Sequence, residues 1–182
     1  MTTSTSGFII RDGLPTDIPA CLNLDHSYET ERVWQMRFAE ETHSLQITFK
    51  TERLPRIMEA EYPVDEKRLR LALDQCFLVA VLRDQPEVLG YLVMLTEPVY
   101  NTAIVHDLVV TRPFRQRHIG TRLLNVARRW AREHDMKRLS VAIQTKNYPA
   151  IMFCQQAGMA FSGFNDHYFP NQDIAVMFTQ AL

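Results

Sequence analysis

Large apolar residues occupy alternate positions in two neighbouring stretches of the chain, residues 34–38 and residues 45–49. A period of two is typical of half-buried strands, because successive side chains point to opposite faces of a sheet. The pattern therefore predicts a β-hairpin over about residues 28–53. The next segment, residues 54–63, is predicted to be a loop.

Elsewhere the apolar pattern predicts strands and helices that alternate along the chain. The predicted strands are residues 7–13, 76–82, 88–95, 102–110, 138–143, 159–164 and 173–179. The predicted helices are residues 15–27, 65–75, 119–134 and 148–158. Strands interleaved with helices in this order indicate a mixed α/β sheet.

Composition places the chain among ordinary globular proteins. The 182 residues are 46% hydrophobic and 23% charged, which suits a single domain over residues 1–182 with a sizeable core. The formal net charge is -1, so neither a nucleic acid nor a membrane surface is an expected partner. No apolar run approaches the length that spans a membrane.

The cysteines and the N-terminal residues bear on the cellular compartment. Cys21, Cys76 and Cys154 are odd in number, far apart and without a CxxC pair, so we expect reduced thiols in a cytoplasmic protein. The first eight residues lack a charged segment followed by an apolar one, and no signal peptide is expected. No metal site is predicted.

A cluster of positive charge follows the predicted strand over residues 102–110, where the longest predicted helix begins. Arg115, Arg117 and His118 precede Gly120, whose missing Cβ lets a ligand approach the backbone. A helix N-terminus has unpaired amides and a partial positive charge, which together bind phosphate. The cluster is therefore either a solvated basic loop or an anion site, and it matches neither the P-loop nor the dinucleotide motif.

The stretch "LVVTRPFRQRHIGTRLL" resembles the pyrophosphate-binding motif of the GNAT superfamily, the acetyl-CoA-dependent N-acyltransferases. That motif reads V-x-P-x-x-[RQ]-x-x-G-x-[GA], and the matching residues are Val110, Pro113, Arg115 and Gly120. His118 stands where the motif has its first glycine. We expect this departure to reduce how closely the backbone approaches the phosphates, although only main-chain amides are needed there.

A second block, "NYPAIMFCQQAGM", resembles the family pattern N-x-x-A-x-x-[FL]-Y-x-x-x-G-F. The matching residues are Asn147, Ala150, Phe153 and Gly158. Met159 replaces the usual phenylalanine. The two blocks together cover about residues 102–160 in the family's order and spacing, which makes the resemblance specific.

The resemblance implies a mixed, mostly antiparallel central sheet flanked by helices, with a splay between two central strands into which acetyl-CoA inserts. The extra hairpin at about residues 28–53 is not explained by it and is a candidate substrate wall or homodimer contact. The cofactor-binding residues that the resemblance implies are Leu108, Val109, Val110, Arg115, Gln116, Arg117, His118, Ile119, Gly120, Thr121, Asn147 and Phe153.

The same resemblance places the catalytic base on the strand over residues 102–110, where relatives have a carboxylate or a histidine. His106 is the preferred candidate, because an imidazole of unperturbed pKa roughly 6.5 can accept the proton of an alkylammonium. A histidine that only forms hydrogen bonds inside the sheet is the alternative. Strand parity predicts that Asp107 faces the other way.

The family's usual tyrosine acid is replaced here by Cys154. A thiol can donate a proton to the departing thiolate, although a buried cysteine is most often only a small apolar residue. Tyr148 and Tyr168 are alternative acids.

The acceptor pocket is expected between the N-terminal segments and the final strand pair. Four glutamates near the hairpin would attract a cationic amine: Glu29, Glu31, Glu40 and Glu41. Residues 161–178 are similar to the tails of streptothricin-type and other small-molecule acetyltransferases, which favours a small-molecule primary amine as acceptor. The alternatives are a protein N-terminus or lysine as acceptor, and a non-catalytic acyl-CoA-binding module.

Overall fold

The computed structural model describes residues 7–182, so most of the segment predicted to lack signal-peptide features lies outside the described residues. The strands are β1 (Phe8–Asp12), β2 (Ser27–Glu41), β3 (Ser44–Glu61), β4 (Cys76–Leu82), β5 (Val88–Glu97), β6 (Thr102–Val110), β7 (Arg138–Gln144), β8 (Ala160–Asn165) and β9 (Ala175–Ala181). The helices are α1 (Ile18–Leu22), α2 (Glu66–Ala72), α3 (Ile119–Glu133) and α4 (Tyr148–Gln156). Within residues 7–182 no helix is both long enough and apolar enough to cross a membrane.

Seven strands form one sheet in the order β1-β4-β5-β6-β7-β9-β8, and β2 pairs with β3 in a separate sheet of two strands. The ladders of β1 with β4, β4 with β5, β5 with β6 and β8 with β9 are antiparallel. β6 and β7 run parallel. The predicted mixed, mostly antiparallel α/β sheet with flanking helices is confirmed.

Residue contacts divide the chain into two compact units. The described part of the first unit is residues 7–26, Pro63–Val141 and Gln180–Leu182. The second unit is Ser27–Tyr62 and Ala142–Thr179. That residues 1–182 form a single domain stays a prediction.

The core of the first unit forms where α1 and α2 pack on the sheet. β4 is nearly continuous in apolar residues and is buried along almost its whole length, as a strand covered on both faces must be. The buried residues of this core are Ile18, Cys21, Leu69, Ala72, Phe77, Val79, Val81, Val88, Tyr91, Val93 and Val109. This packing fixes β5 and β6, the strands that lead into the basic turn.

The second unit has an aromatic core. The Trp34 ring lies 5.8 Å from both Phe49 and Phe178, and Phe49 lies 5.5 Å from Phe161 and 5.9 Å from Phe164, measured between ring centroids. Such aromatic pairs add about 0.5–1.5 kcal/mol each beyond their buried area. Trp34 and Phe49 of the hairpin contribute to this core, which explains part of the period of two, whereas Phe38 and Leu45 are exposed.

The predicted hairpin is confirmed, but it is longer than predicted, and the predicted loop over residues 54–63 is wrong. β3 continues to Glu61, and the pairing passes from Arg32 with Arg53 to Thr30 with Met58. Pro55 therefore lies in a bulge between two regular parts of the ladder. A proline cannot donate a ladder hydrogen bond, and a bulge is one of the few places where a strand tolerates one.

β6 contains a bulge at the predicted base. Val93 and Met94, which are consecutive on β5, pair with Asp107 and Val105, so His106 has no residue opposite it. Val93 and Met94 face opposite sides of the sheet because they are consecutive, so their partners Asp107 and Val105 also face opposite sides. Val105 and Asp107 would share a face in a regular strand, so simple strand parity fails at His106.

The ladder between β6 and β7 is short. It runs from Thr102 with Arg138 to Val105 with Val141, whereas β6 itself continues to Val110. From His106 onward β6 is paired with β5 alone. The parallel pairing thus ends midway along the strand, as the predicted splay requires.

Candidate active site

The predicted site residues are distributed over both compact units. The first unit contains His106, Leu108, Val109, Val110, Arg115, Gln116, Arg117, His118, Ile119, Gly120 and Thr121. The second unit contains Asn147, Phe153 and Cys154. The structure brings the first group together along one strand, one turn and one helix N-terminus.

The turn between β6 and α3 has the backbone geometry of an anion cradle. After a short 3-10 helix at Arg112–Phe114, Gln116 and His118 have positive φ angles of 59° and 61°. Arg115 has a negative φ angle of -64°, and Arg117 is not among the residues with positive φ. Backbone turns of this kind expose main-chain amides that can form an anion-binding concavity.

The amides of this turn are available to a ligand. From Gln116 to Thr121 the main-chain N–H groups have no hydrogen-bond acceptor within residues 7–182, and the first amide of α3 with one is that of Arg122, which donates to the His118 carbonyl at 3.0 Å. These are the unpaired amides of a helix N-terminus, at the positive end of the helix dipole. The turn can therefore hold a phosphate or pyrophosphate.

Arg115 braces the turn in the structure. Its Nε donates to the Val110 carbonyl at 2.8 Å, and its Nη2 donates to the Asp25 carbonyl at 3.0 Å. Arg112 also approaches Asp25, with 3.4 Å from Nε to the carboxylate. Arg117, in contrast, is exposed, and its guanidinium lies 5.1 Å from the Phe114 ring centroid. Sequence reasoning missed Asp25, because nothing near that residue in the chain marks it as a partner of this turn.

His118 occupies a position that favours glycine. Its φ of 61° is in the left-handed region, which costs a residue with a Cβ about 1–2 kcal/mol. His118 is the residue before the first turn of α3, and its side chain forms no capping hydrogen bond. The glycine of the family motif is therefore explained by the backbone conformation.

We expect His118→Gly to raise the free energy of unfolding by about 1 kcal/mol, because glycine adopts positive φ without this strain. His118→Ala is the matched control, since it removes the imidazole and keeps the strain. Urea denaturation of the three proteins measures the difference. A His118→Gly protein no more stable than His118→Ala would show that the backbone strain is negligible.

His106 is half-buried in β6. Burial lowers its pKa below the ordinary value of 6.5, the negative charge of Asp107 raises it, and the positive charge of Arg68 lowers it again. The net direction is downward, so the imidazole is neutral at pH 7. A neutral imidazole has a lone pair that can accept a proton.

The neighbour of His106 is held by a buried ion pair. Arg68 of α2 donates to both carboxylate oxygens of Asp107, from Nε at 3.0 Å and from Nη2 at 2.9 Å. The Asp107 side chain is 0% exposed, and Nη2 of Arg68 also donates to the Pro63 carbonyl at 2.6 Å. Sequence reasoning missed Arg68, which lies 39 residues from its partner. The pair ties α2 to the strand that carries His106.

In the second unit, Asn147 caps α4. Its Oδ1 accepts a hydrogen bond from the Ala150 amide at 3.1 Å, the usual role of asparagine at this position. Its Nδ2 has no acceptor within the described chain and can donate to a ligand. Phe153 is half-buried on the same helix, and the Cys154 side chain is buried at 4% exposure. The catalytic role of Cys154 stays a prediction.

The cysteines provide no metal-binding cluster. All three are buried and free of disulfides. Across residues 7–182, no group of three histidine, cysteine, aspartate or glutamate side chains is placed to hold a metal ion.

Comparison with protein families decides what kind of site this is. The model of the acetyltransferase (GNAT) family matches residues 34–159, which is more than half of the chain. The chain belongs to the GNAT acetyltransferase family. The protein is therefore an acyltransferase whose acetyl donor is acetyl-CoA, and the predicted family and enzyme class are confirmed.

Solved GNAT structures share the whole fold. Nourseothricin acetyltransferase superposes with a TM-score of 0.81 at 20% identity, covering 96% of this chain and 98% of that one. A Bacillus anthracis protein assigned as a streptothricin acetyltransferase, solved with acetyl coenzyme A, gives 0.76 at 18% identity and covers 98% and 99%. The Escherichia coli ribosomal-protein-S18-alanine N-acetyltransferase gives 0.66 at 12% identity and covers 96% and 94%. A search of curated protein sequences finds no significant match.

Proposed function

We propose that this GNAT protein acetylates a primary amine of a small molecule by direct transfer from acetyl-CoA. The observation that carries the proposal is the run of unpaired amides from Gln116 to Thr121 at the start of α3. The half of β6 that carries His106 leads directly into that turn. One continuous segment thus offers both a phosphate cradle and a candidate base.

The cofactor would bind the first unit through main-chain groups. The amides from Gln116 to Thr121 would donate to the pyrophosphate, and the exposed Arg117 would supply a positive charge beside them. Leu108, Val109 and Val110 would offer main-chain groups to the pantetheine, since this half of β6 is paired with β5 alone. Arg115 would stabilise the conformation of the turn through its hydrogen bonds to the Val110 and Asp25 carbonyls.

The chemistry needs a neutral amine. The amine first loses a proton to the imidazole of His106, directly or through a water molecule. Its nitrogen lone pair then attacks the thioester carbonyl, so that a C–N bond forms and the C–S bond breaks. After the attack the nitrogen carries a positive charge, and it gives up its second proton to the departing thiolate or to solvent. The products are an amide and CoA, and the proton on His106 returns to solvent. The lowered pKa of His106 suits this role, because the group is ready to accept a proton at pH 7.

The departing thiolate takes a proton from Cys154 or from water. The side chain of Cys154 is buried, and the tolerable leaving ability of CoA makes an acid helpful but not essential. Tyr148 is half-buried and Tyr168 is exposed, so both stay alternatives.

Two similarities support a small-molecule acceptor. The nourseothricin and streptothricin acetyltransferases match almost the whole length of this chain and have the higher TM-scores of the structures compared above. The ribosomal-protein acetyltransferase covers as much of the chain with a lower TM-score. An acceptor that is a protein N-terminus or lysine is the competing proposal.

Release of free thiol from acetyl-CoA in the presence of amine panels tests the function. We expect turnover with small primary amines and little or none with peptides that offer a free N-terminus or lysine. Faster turnover with the peptides would favour a protein acceptor. Binding of CoA without any turnover would make the chain a non-catalytic acyl-CoA-binding module.

Calorimetric titration of the wild type and two arginine variants with CoA tests the cofactor turn. We expect Arg117→Ala to weaken CoA binding about tenfold at low salt, because it removes one phosphate-pairing charge. Arg129→Ala removes another exposed arginine, near the C-terminal end of α3, and should leave the affinity unchanged. Equal affinities of both variants and the wild type would place the phosphates elsewhere.

A further inference from the structure

A buried hydrogen bond joins the segment that follows α1 to strand β5. Nε2 of His26 lies 3.1 Å from the Tyr91 hydroxyl, and the two rings meet edge to face with 6.0 Å between their centroids. His26 is 7% exposed and Tyr91 is 0% exposed. Both residues belong to the first unit, which also contains the turn between β6 and α3. Sequence reasoning selected neither of them.

Tyr91 is the fixed end of this hydrogen bond. Its ring is part of the core of the first unit and lies 6.5 Å from the ring of Phe77, measured between centroids. Its backbone pairs with Val109 of β6. A tyrosine hydroxyl inside such a core needs a hydrogen-bond partner, and His26 supplies one. The position of His26 is therefore set from the buried core.

The residue before His26 holds Arg115. The main-chain carbonyl of Asp25 accepts a hydrogen bond from Nη2 of Arg115 at 3.0 Å, and Nε of the same guanidinium donates to the Val110 carbonyl at 2.8 Å. The Asp25 carbonyl and the His26 amide are in one planar peptide unit. The direction of that carbonyl therefore depends on where His26 is held.

Arg115 in turn fixes the start of the cofactor turn. It lies directly before Gln116, where the positive φ angles begin. A rigid guanidinium that bridges two carbonyls keeps the end of β6 and the segment after α1 at a constant spacing. A turn that is already ordered does not lose conformational freedom when a ligand binds, which strengthens binding. Loss of this support would weaken phosphate binding without removing any amide.

We propose that His26 is a positioning residue for the cofactor turn, and that its bond to Tyr91 acts on the turn through Asp25 and Arg115. The inference rests on the part of the proposed function that places the phosphates of CoA on the amides of this turn. It assigns a role in cofactor binding to two buried side chains that do not touch the cofactor.

The competing explanation is that the bond between His26 and Tyr91 only stabilises the core. The segment after α1 has other supports, since Leu22 and Leu24 pack against the core and the Leu24 amide donates to the Cys21 carbonyl at 3.3 Å. A purely structural bond would change the free energy of unfolding. It would leave the affinity of the folded protein for CoA unchanged.

Calorimetry with CoA separates the two explanations, and Tyr91→Phe is the cleanest variant because it removes only the hydroxyl. We expect the Kd for CoA to rise about three- to tenfold, in line with the loss of one hydrogen bond. Since Tyr91 is fully buried, such a change must be transmitted through the protein. The KM for acetyl-CoA should rise with the Kd, whereas kcat and the KM for the amine should change little. Tyr100→Phe, which removes a hydroxyl from an exposed residue of the same unit, should have no effect.

Two substitutions of His26 test the other end of the bond. His26→Leu should weaken CoA binding as much as Tyr91→Phe does. His26→Gln should keep most of the affinity, because its side-chain amide both donates and accepts hydrogen bonds at about the reach of Nε2.

A double-mutant cycle tests the route through Arg115. If the effect of Tyr91 reaches the turn through the Asp25 carbonyl, Tyr91→Phe should weaken CoA binding much less in an Arg115→Ala background than in the wild type. Effects on the Kd that add fully would mean that the two residues act independently, and they would overturn the proposed route.

An unchanged Kd for CoA in folded Tyr91→Phe and His26→Leu proteins would overturn the proposal. If Tyr91→Phe does not fold, the comparison of His26→Leu with His26→Gln decides, and equal losses of affinity in both would refute a role for the hydrogen bond. CoA binding decides this inference, whereas turnover decides the proposed function. A wild type that binds CoA but acetylates no amine would therefore refute the function alone.

Discussion

His106→Ala is expected to lower kcat on the order of a hundredfold at pH 7 and by much less at pH 9. Removal of a general base typically costs 10²–10⁴-fold, and the lower end applies when water can take the proton. The loss shrinks at high pH because an amine of pKa about 10.4 is roughly a hundred times more often neutral at pH 9 than at pH 7. A base is needed less when the amine arrives without its proton.

The pH dependence of the wild type gives a second readout. Burial lowers the pKa of His106, so the acid limb of the kcat profile should lie below the ordinary histidine value of 6.5. His134→Ala is a matched control, since that histidine is exposed at the end of α3. Equal losses in His106→Ala at pH 7 and pH 9 would leave His106 with a structural role and no catalytic one.

Elements with a strong local pattern were predictable. The unbroken apolar run of β4 and the amphipathic repeat of α3 match their predicted ranges to within a residue at each end. The unbroken run of β4 indicates burial on both faces, and the periodicity of α3 indicates one buried side, as the structure has them. Gly158, predicted to end the last helix, has a φ of 79° just beyond α4.

Irregularities inside strands were not predictable from the pattern. The segment that contains Pro55 was predicted to be a loop, but a bulge around this proline lets β3 continue to Glu61. The register between β5 and β6 skips His106, so strand parity alone does not decide which way Asp107 faces, and its orientation relative to His106 stays a prediction. The backbone absorbs three extra residues of β3 around Pro55 and one extra residue of β6 at His106, and the side-chain sequence contains no sign of either.

The roles of the charged residues depend on contacts between distant parts of the chain. The basic turn was predicted, but the sequence could not distinguish Arg115, which bonds a carbonyl 90 residues away, from the exposed Arg117. The pairing of Gln144 with Asp173 spans 29 residues and has no local signature. Local patterns thus locate a charge cluster, and only the fold determines which members bind the protein itself.

Arg68→Met is expected to lower the free energy of unfolding by about 3–5 kcal/mol, because it leaves the buried carboxylate of Asp107 without its partner. The double variant Arg68→Met with Asp107→Leu should recover most of the loss, since it removes both charges together. Arg70→Met is the matched control on α2. Its bond to Glu66 at 2.7 Å is exposed and should contribute no more than about 0.5 kcal/mol.

Urea denaturation of these variants measures the stabilities, and the pH dependence of kcat tests the link to His106. Arg68 lowers the pKa of His106, so Arg68→Met should move the acid limb of the profile to higher pH. The double variant should return the limb toward the wild type, because the raising effect of Asp107 is removed as well. If Arg68→Met loses no more free energy of unfolding than Arg70→Met, the ion pair of Arg68 with Asp107 contributes little to stability. If the acid limb does not move in a stable Arg68→Met protein, the ion pair does not influence the pKa of His106.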